Sequence, residues 1–428
     1  MNPSSVNTLS VRAIEAGSLG PSIAGAREIY VSGCSAEIAG LPDLLGPETA
    51  GATVTGVFSP ILNTRSYADL ALSRRCRTFF LNDALRNDLV GGAVDFCPWT
   101  YSSMTRWLTA PARFDAAVVM VSPPDENNQC SFGTQTDFLP EFYTEVPRLI
   151  GVINPNMPRT RGTPGIPLDR FAAVFEHDEP LPEFVSGAGA ADPINDIIAR
   201  NVAGLIPDHA TLQMGIGRVS QTVALALVGH RGLRIHSGLV DDNVIRLEEA
   251  GALDPSAPVV TGVAMGTRGL YDMIDRNPRF SFRTSNFTHS AEVIAQQPTF
   301  VAVNTALQVD LFGQVNSEGS EGRMLASPGG LPDFLRGAQR SKGGMRIIAL
   351  RAKRGRRGKC GIVGRLCEPH LVTAARYDID LVVTENGVAD LRGRSLDQRA
   401  EVLIAIADPG DQAALAENWS KIRQAAFA

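Results

Sequence analysis

This sequence of 428 residues has few cysteines and histidines, and none of them follows a metal-binding spacing. Its six cysteines form no Cys-x-x-Cys pair, and its six histidines form no His-x-His or His-x-x-x-His pair. Zinc sites and disulfide frameworks both depend on close, repeated spacing. Only Cys360 and Cys367 lie near each other, which is too little for either. We therefore expect no bound metal and no disulfide framework.

The chain also lacks a long apolar run and an excess of basic residues. No stretch approaches the roughly 18 apolar residues of a membrane-spanning helix, and the clean runs are short, as in Thr222–Val228. The first residues, Met1–Ser5, have neither the charged nor the apolar region of a signal peptide. Lys and Arg number 40 against 45 Asp and Glu, so no basic excess is available for a nucleic acid. We expect a cytoplasmic protein that binds neither membranes nor nucleic acids.

What is present is ample apolar material in an alternating strand and helix pattern. Hydrophobic residues make up 44% and charged residues 20%, which excludes a disordered chain, and the length suits two domains of about 200 residues each. The candidate strands are largely apolar rather than strictly alternating, as strands buried on both faces of a parallel sheet should be. They are Glu28–Ser32, Ala52–Phe58, Arg77–Leu81, Ala116–Val121, Leu149–Ile153, Ala172–Phe175, Thr211–Met214, Leu233–His236, Val259–Met265, Phe300–Asn304, Arg346–Leu350 and Ile379–Thr384. The pattern predicts two tandem open α/β domains.

A polar, then Pro- and Gly-rich segment divides the chain near residue 185. Glu176–Phe184 and Ser186–Ala190 are typical of a linker, and a helix is predicted to begin at Asp192 with Pro193 in its first position. The predicted domains are therefore residues 1–185 and 186–428. The two halves also echo one another, because each has a strand followed by an acidic turn and then a Gln, Ser and Gly pattern.

Two glycine-rich turns are candidate ligand sites. In Leu212–Gly217, glycines between a strand and a helix let a ligand approach the backbone, although a tight turn with close packing explains them equally well. Gly329 and Gly330 precede the acidic start of a helix, where their N–H groups can form an oxyanion hole; a loop with two residues of positive φ is the alternative.

A carboxylate and two histidines also follow apolar runs. Glu385 ends a predicted buried strand, where α/β sheets collect ligands, and Ser395 and Gln398 predict a capping box for the next helix. His236 precedes Ser237 and Gly238, and His289 follows Thr288. A histidine in such a place is more often structural than catalytic.

Taken together, these segments resemble the acetyl-CoA hydrolase/transferase family, the class I CoA-transferases that include 4-hydroxybutyrate and itaconate CoA-transferases. The matching stretches are Leu212–Gly217, Gly262–Tyr271, Phe300–Glu318, Gly329–Gly337, Val382–Pro409 and, more loosely, Phe114–Gly133 and Asn154–Gly162. The resemblance implies an active site in a cleft between two α/β domains, an acyl-CoA and a small carboxylic acid as substrates, a homodimer, and no cofactor, because coenzyme A is itself a substrate. It implies substrate or CoA contacts at Gln213, Met214, Gly215, Gly217, His236, Ser237, Gly238, Asn304, Glu318, Gly329 and Glu385, with Gly330 stabilising the oxyanion.

The resemblance fails at one important position. In the family a glutamate attacks the acyl-CoA thioester and forms an anhydride, then an enzyme–CoA thioester. The matching stretch is His236-Ser237-Gly238, so glycine stands where that carboxylate is expected. The carboxylates that can substitute are Glu37, Asp241, Asp242, Glu318 and Glu385, of which Glu37 follows the first strand and Glu318 and Glu385 match general family positions.

Three functions therefore remain open from the sequence. A CoA-transferase would use a substitute carboxylate such as Glu37 and form an enzyme–CoA adduct. A thioester hydrolase or acyltransferase would use His289, which lies near a family position that contacts the substrate, as a general base. A non-catalytic acyl-CoA-binding protein would have kept the fold and lost the glutamate. Fold alone cannot choose among them, because function resides in the site.

Overall fold

The computed structural model describes residues 11–63, 75–185, 192–215, 217–320, 322–354, 358–366 and 371–427. Within these ranges the chain forms two compact units. The first unit takes its residues from Met1–Cys97, Met104–Phe184 and Gly262–Thr284, and the second from Pro98–Ser103, Val185–Thr261 and Ser285–Ala428. The predicted linker residues 186–190 and Cys367 lie outside the described residues.

The first unit is built on a seven-stranded parallel sheet. Its strands are β1 (Glu28–Val31), β2 (Thr53–Gly56), β3 (Arg75–Thr78), β4 (Val94–Phe96), β5 (Ala116–Val121), β6 (Arg148–Ile153) and β7 (Ala173–Glu176), in the order β4-β3-β2-β1-β5-β6-β7. Every residue of β5 is buried, because the sheet is covered on both faces. This confirms the α/β prediction for the first half.

The second unit has a six-stranded sheet that is parallel except at one edge. Its strands are β8 (Thr211–Met214), β9 (Arg234–Ile235), β10 (Phe300–Thr305), β11 (Met345–Ala349), β12 (Leu381–Thr384) and β13 (Gly387–Asp390), in the order β9-β8-β10-β11-β12-β13. The edge strand β13 returns antiparallel beside β12. Parallel neighbours end at the same edge, so the carboxyl ends of β8, β9 and β10 lie together.

Shorter strands and the helices complete the fold. The short strands are Gln129–Cys130, Ile166–Pro167, Leu239–Val240, Val259–Thr261, Val263–Ala264, Phe280–Phe282, Gln308–Asp310, Val315–Asn316, Gly319–Ser320, Arg323–Met324, Lys353–Arg354, Lys359–Cys360 and Ile362–Val363. The α-helices are α1 (Leu19–Ser22), α2 (Leu41–Leu45), α3 (Asp83–Val90), α4 (Tyr101–Leu108), α5 (Pro193–Ala203), α6 (Arg218–Ala226), α7 (Asn243–Glu249), α8 (Arg268–Ile274), α9 (Ser285–Thr288), α10 (Ala291–Ala295), α11 (Leu331–Arg340), α12 (Leu396–Ala405) and α13 (Gln412–Phe427). Among the described residues, no helix is long and apolar enough to cross a membrane.

Two predicted helix starts are confirmed by their caps. The Asp192 side chain accepts a hydrogen bond from the Ile194 N–H, with Pro193 in the first position of α5. At the start of α12, Ser395 and Gln398 form the reciprocal capping box. Such caps satisfy N–H groups that have no partner inside the helix and contribute about 1 kcal/mol each.

A buried ion pair fixes β11 against the start of β12. Arg346 donates from Nε and Nη2 to the two carboxylate oxygens of Asp380, at 3.0 and 2.6 Å, and both residues are buried. Removing one partner of such a pair leaves an uncompensated charge, whereas replacing both by apolar residues is close to neutral.

We therefore expect D380A to lower the free energy of unfolding by about 3 to 5 kcal/mol, and the double variant R346M/D380L to cost much less. Urea denaturation followed by circular dichroism measures both. D272A is the matched control, since it breaks the exposed Arg268–Asp272 pair and should cost under about 1 kcal/mol. Equal costs for D380A and D272A would contradict the expectation.

Candidate active site

Polar residues of the second unit converge where β8 and β10 end. Gln213 lies in β8 and Asn304 in the neighbouring β10, and their side-chain amides bond each other reciprocally, at 3.3 and 3.0 Å. A Cβ placed on Gly215 would lie 3.2 Å from Asn304 Oδ1. The amide pair is buried, so it holds these strand ends in one arrangement.

The centre of the candidate site is the imidazole of His289, which lies against two glycines. A Cβ placed on Gly238 would lie 2.6 Å from His289 Cε1 and 2.7 Å from Nε2. A Cβ placed on Gly330 would lie 2.6 Å from the same Nε2. Real Cβ atoms do not approach other atoms so closely, so neither position can carry a side chain while the ring is in place. Three residues that sequence analysis singled out separately are therefore in direct contact.

The His289 ring is held by aromatic neighbours and a hydroxyl. It stacks on Tyr101, with ring centroids 4.2 Å apart and an interplanar angle of 12°, and Phe334 lies against it at 4.6 Å. Its Nδ1 is 2.9 Å from Thr288 Oγ1. Burial, together with the nearby His236, lowers the pKa of His289 to about 3. The imidazole is therefore neutral at neutral pH.

His236 has a fixed structural partner. Its Nε2 lies 3.0 Å from the carbonyl oxygen of Thr288, and because a carbonyl only accepts, this nitrogen carries the proton. His236 thus ties the end of β9 to α9, the helix that ends immediately before His289. The contact of His236 with Thr288 therefore helps to position His289 in the candidate site.

The two glycines before α11 differ in their backbone bonds. Gly329 has φ of +56°, which favours glycine, and its carbonyl accepts from the Tyr101 N–H at 3.1 Å. Gly330 follows, and its N–H donates to no acceptor within the described part of the chain. This N–H stands at the positive end of the ten-residue helix α11. An N–H in such a position can stabilise negative charge on a nearby oxygen.

A buried carboxylate anchors α11. Asp333 accepts hydrogen bonds from the Ser102 N–H at 3.1 Å and the Ser102 hydroxyl at 2.7 Å. Burial raises the pKa of Asp333, and the bonds from Ser102 oppose that rise. The neighbouring Tyr101 is thereby fixed beside His289. Asp333 and Phe334 were not predicted as site residues, because in the sequence they indicate only the start of a helix.

The substitute carboxylates of the second unit all have structural partners. Glu385 accepts from the Ala352 N–H at 2.9 Å, and Asp241 accepts from the N–H and the side-chain amide of Asn243, both at 3.0 Å. Burial raises the pKa of Glu318, whose carboxyl is bonded by Thr373. Asp242 occupies the N-cap position of α7, and its side chain makes no capping hydrogen bond there.

A small cavity lies behind the glycine-rich turn. It is about 30 Å³, room for one or two waters, and contains the buried Ser220 hydroxyl, which has no hydrogen-bond partner among the described residues. Its other lining residues include Met214, Gly215, Ser237 and Asp241. Gly217, with φ of +121°, caps α6 beside it, and Ile216 lies outside the described residues. Three of the predicted site residues, Met214, Gly215 and Ser237, thus line the same cavity.

Glu37 belongs to the first unit. It follows β1 and the short turn Cys34–Ala36, and it is buried. Cys34 has φ of +48° and donates through its thiol to Met265 Sδ at 3.2 Å. Burial, with the nearby Asp137, raises the pKa of this thiol far above its usual value, so Cys34 is not a reactive thiolate.

Asp137 is a buried acid that no sequence pattern indicated. Burial raises its pKa to about 7, and its Oδ2 has no hydrogen-bond partner among the described residues. Because the pKa is higher in the folded state than in the unfolded state, folding takes up a proton between pH 4 and 7. Stability from this group is therefore present at low pH and is lost as the pH rises towards 7.

We expect D137N to remove the loss of stability that Asp137 causes as the pH rises towards 7, because an amide does not ionise. At pH 8 the variant should be more stable than the wild type by roughly 2 to 4 kcal/mol, and at pH 4 the two should be nearly equal. Urea denaturation at both pH values measures this. D169N, at an exposed aspartate of the same unit, is the control. A constant difference between D137N and the wild type at both pH values would contradict the assignment.

Comparisons with known proteins identify the family of this chain. Residues 48–186 match the family model described as "Acetyl-CoA hydrolase/transferase N-terminal domain", and residues 266–419 match that of the C-terminal domain. The chain is 34% identical to 4-hydroxybutyrate coenzyme A transferase of Clostridium kluyveri, over 81% of this chain and 82% of that one. It is 31% identical to succinyl-CoA:cyclohexane-1-carboxylate CoA transferase of Geobacter metallireducens, over 82% and 81%. Its fold is similar to the crystal structure of RipA from Yersinia pestis, with a TM-score of 0.89, 26% identity and coverage of 96% and 98%.

Proposed function

Because the chain belongs to the acetyl-CoA hydrolase/transferase family, we propose that it transfers CoA from an acyl-CoA to a small carboxylic acid. The names of the relatives compared above carry 4-hydroxybutyrate, succinyl-CoA and cyclohexane-1-carboxylate. For this chain we propose the same class of substrates, namely short or compact carboxylic acids and their CoA thioesters. Coenzyme A enters as a substrate, and the proposal requires no further cofactor.

The observation that carries this proposal is the N–H of Gly330 beside the His289 ring. Attack on a thioester places negative charge on the carbonyl oxygen, and a fixed donor beside that oxygen lowers the barrier. The Gly330 N–H makes no bond to the described protein, and the ring next to it is neutral. These two groups suit acyl transfer from a thioester. A reaction that uses these two groups does not require a charged base.

Hydrolysis is the second candidate, and a specific observation favours it. The group in contact with Gly238 and Gly330 is an imidazole and not a carboxylate. A neutral imidazole can take a proton from water through the ring nitrogen that carries no proton. In that case the enzyme would release free CoA with no acid present.

The test is to incubate the purified protein with a panel of acyl-CoA thioesters, with and without a panel of small carboxylic acids. Liquid chromatography and mass spectrometry then follow every CoA species. We expect a new acyl-CoA that appears only when both an acyl-CoA and an acid are present. Free CoA formed at the same rate without acid would instead support hydrolysis. Unchanged acyl-CoA throughout would contradict both candidates.

We also propose that the protein is a cytoplasmic homodimer. The family resemblance supports the dimer, and the composition supports the compartment. Size-exclusion chromatography with light scattering would test the dimer, since a dimer has twice the 45.7 kDa mass of one chain. A mass equal to one chain would contradict it.

A further inference from the structure

We infer that this enzyme transfers CoA without a carboxylate nucleophile of its own, and that the acceptor acid attacks the acyl-CoA directly while His289 and Gly330 hold the reacting carbonyl oxygen. This inference rests on the proposed CoA transfer and specifies its chemistry. CoA transfer between acids requires an anhydride, because the thioester carbonyl must be joined for a time to a second carboxyl group. The question is whether the enzyme or the substrate supplies that group.

The centre of the site has no room for an enzyme carboxylate. A side chain at position 238 would begin 2.6 Å from His289 Cε1, and one at position 330 would begin 2.6 Å from Nε2. Tyr101 stacks on the ring and Phe334 packs against it, so the ring cannot swing away without disturbing both. The space that a carboxylate would need is therefore filled by the imidazole.

The carboxylates elsewhere in the second unit are committed to the fold. Glu385 and Asp241 each accept a backbone N–H, and Asp333 accepts both donors of Ser102. Glu318 is buried, burial raises its pKa, and Thr373 bonds its carboxyl. A carboxylate that must leave such bonds to attack a thioester would lose their stabilisation at each turnover. A free acid in solution bears no such cost.

The imidazole can serve as a donor to the reacting oxygen. When the Thr288 hydroxyl donates to Nδ1 across 2.9 Å, the ring proton resides on Nε2, the nitrogen that faces Gly238 and Gly330. The Gly330 N–H lies beside it at the start of α11. In the proposed arrangement, these two neutral donors bind the same carbonyl oxygen of the substrate. The neighbouring His236, whose Nε2 donates to the Thr288 carbonyl, holds the segment that carries both Thr288 and His289.

The steps balance without any enzyme adduct. The acceptor carboxylate attacks the thioester carbonyl, the C–S bond breaks, and the products are a mixed anhydride of the two acids and CoA thiolate. The thiolate then attacks the other carbonyl of the anhydride, the C–O bond breaks, and the original acyl group leaves as its carboxylate. No proton is gained or lost, and no oxidant or reductant is needed. Both acids and CoA must therefore occupy the site together.

Initial-rate kinetics of the wild-type enzyme test this directly. The rate is measured over a grid of acyl-CoA and acid concentrations, and the enzyme is separately incubated with acyl-CoA alone, trapped with borohydride and analysed by peptide mass spectrometry. We expect intersecting double-reciprocal lines and no CoA or acyl adduct on any residue. Parallel lines with a CoA adduct on Glu37 or Glu318, or an acyl group on His289, would overturn the inference while leaving CoA transfer intact. Absence of any transfer would overturn the proposed function itself.

A designed pair of variants adds a positive control for the trap. Asn is shorter than His and keeps a polar atom near the Thr288 hydroxyl, so H289N should clear the space beside position 238. We expect G238E/H289N to form a trappable CoA adduct at position 238 with acyl-CoA alone, whereas G238E, in which the ring still blocks the site, should form none. Thermal unfolding of each variant shows whether it is folded. An adduct in G238E as abundant as in the double variant would show that the ring does not block this position.

Discussion

Replacing Gly330 with alanine is expected to lower kcat/KM for CoA transfer by about 100- to 1,000-fold, the usual cost of losing one oxyanion donor. The new Cβ would lie 2.6 Å from His289 Nε2 and 3.2 Å from Phe334. The backbone at position 330 cannot yield that distance, so the packed imidazole must move away from the Gly330 N–H. One methyl group thus disturbs both donors that we place on the reacting oxygen.

A matched control separates this effect from a general cost of alanine. Gly229 lies in the same unit, and a Cβ there would meet no atom within 4 Å, so G229A should keep full activity. Both variants should remain folded, and the loss in G330A should fall mainly on kcat, because the donors act on the transition state. An activity of G330A within a few-fold of G229A would show that the Gly330 N–H does not take part.

The elements of this site were predictable one by one, but their contact was not. The glycine turn before α11, the histidine after Thr288 and the glycine at 238 each stood out locally in the sequence. Nothing in their spacing indicates that His289 fills the space of a side chain at 238. That fact depends on how α9 and α11 pack against the end of β9, which is a tertiary property. The same is true of Tyr101, which stacks on the ring from a distant part of the chain.

The strands show where sequence patterns succeed and where they fail. The strands Ala116–Val121 and Thr211–Met214 form with the predicted bounds, because short and largely apolar runs are typical of strands buried on both faces of a sheet. The edge strands β4 and β13 were not predicted, since Asp95 and Asp390 break their apolar character. The predicted strand Val259–Met265 is wrong as one element: it is two short strands separated at Gly262.

Acid is expected to destabilise the protein through His289, and the size of this effect follows from its pKa. The unfolded histidine titrates near 6.5, whereas burial holds the folded pKa at about 3. Between these values the unfolded state binds a proton that the folded state does not, so stability rises with pH across this window and is lost as the pH falls through it. The wild type should lose up to roughly 4 kcal/mol from this group.

H289N should remove the pH dependence of stability that His289 contributes. Its free energy of unfolding relative to the wild type should therefore rise as the pH falls from 6.5 to 4. Urea denaturation at both values measures the difference, with H230N, at a half-buried histidine bonded to the Ile206 carbonyl, as control. Asp137 has the opposite sign over an overlapping range, because its folded pKa is raised to about 7. The two groups therefore partly cancel in the wild type, and only the single variants expose them. If the H289N difference stays constant while the D137N difference changes, the imidazole does not stay neutral in the folded state, and its assignment as a neutral donor fails with it.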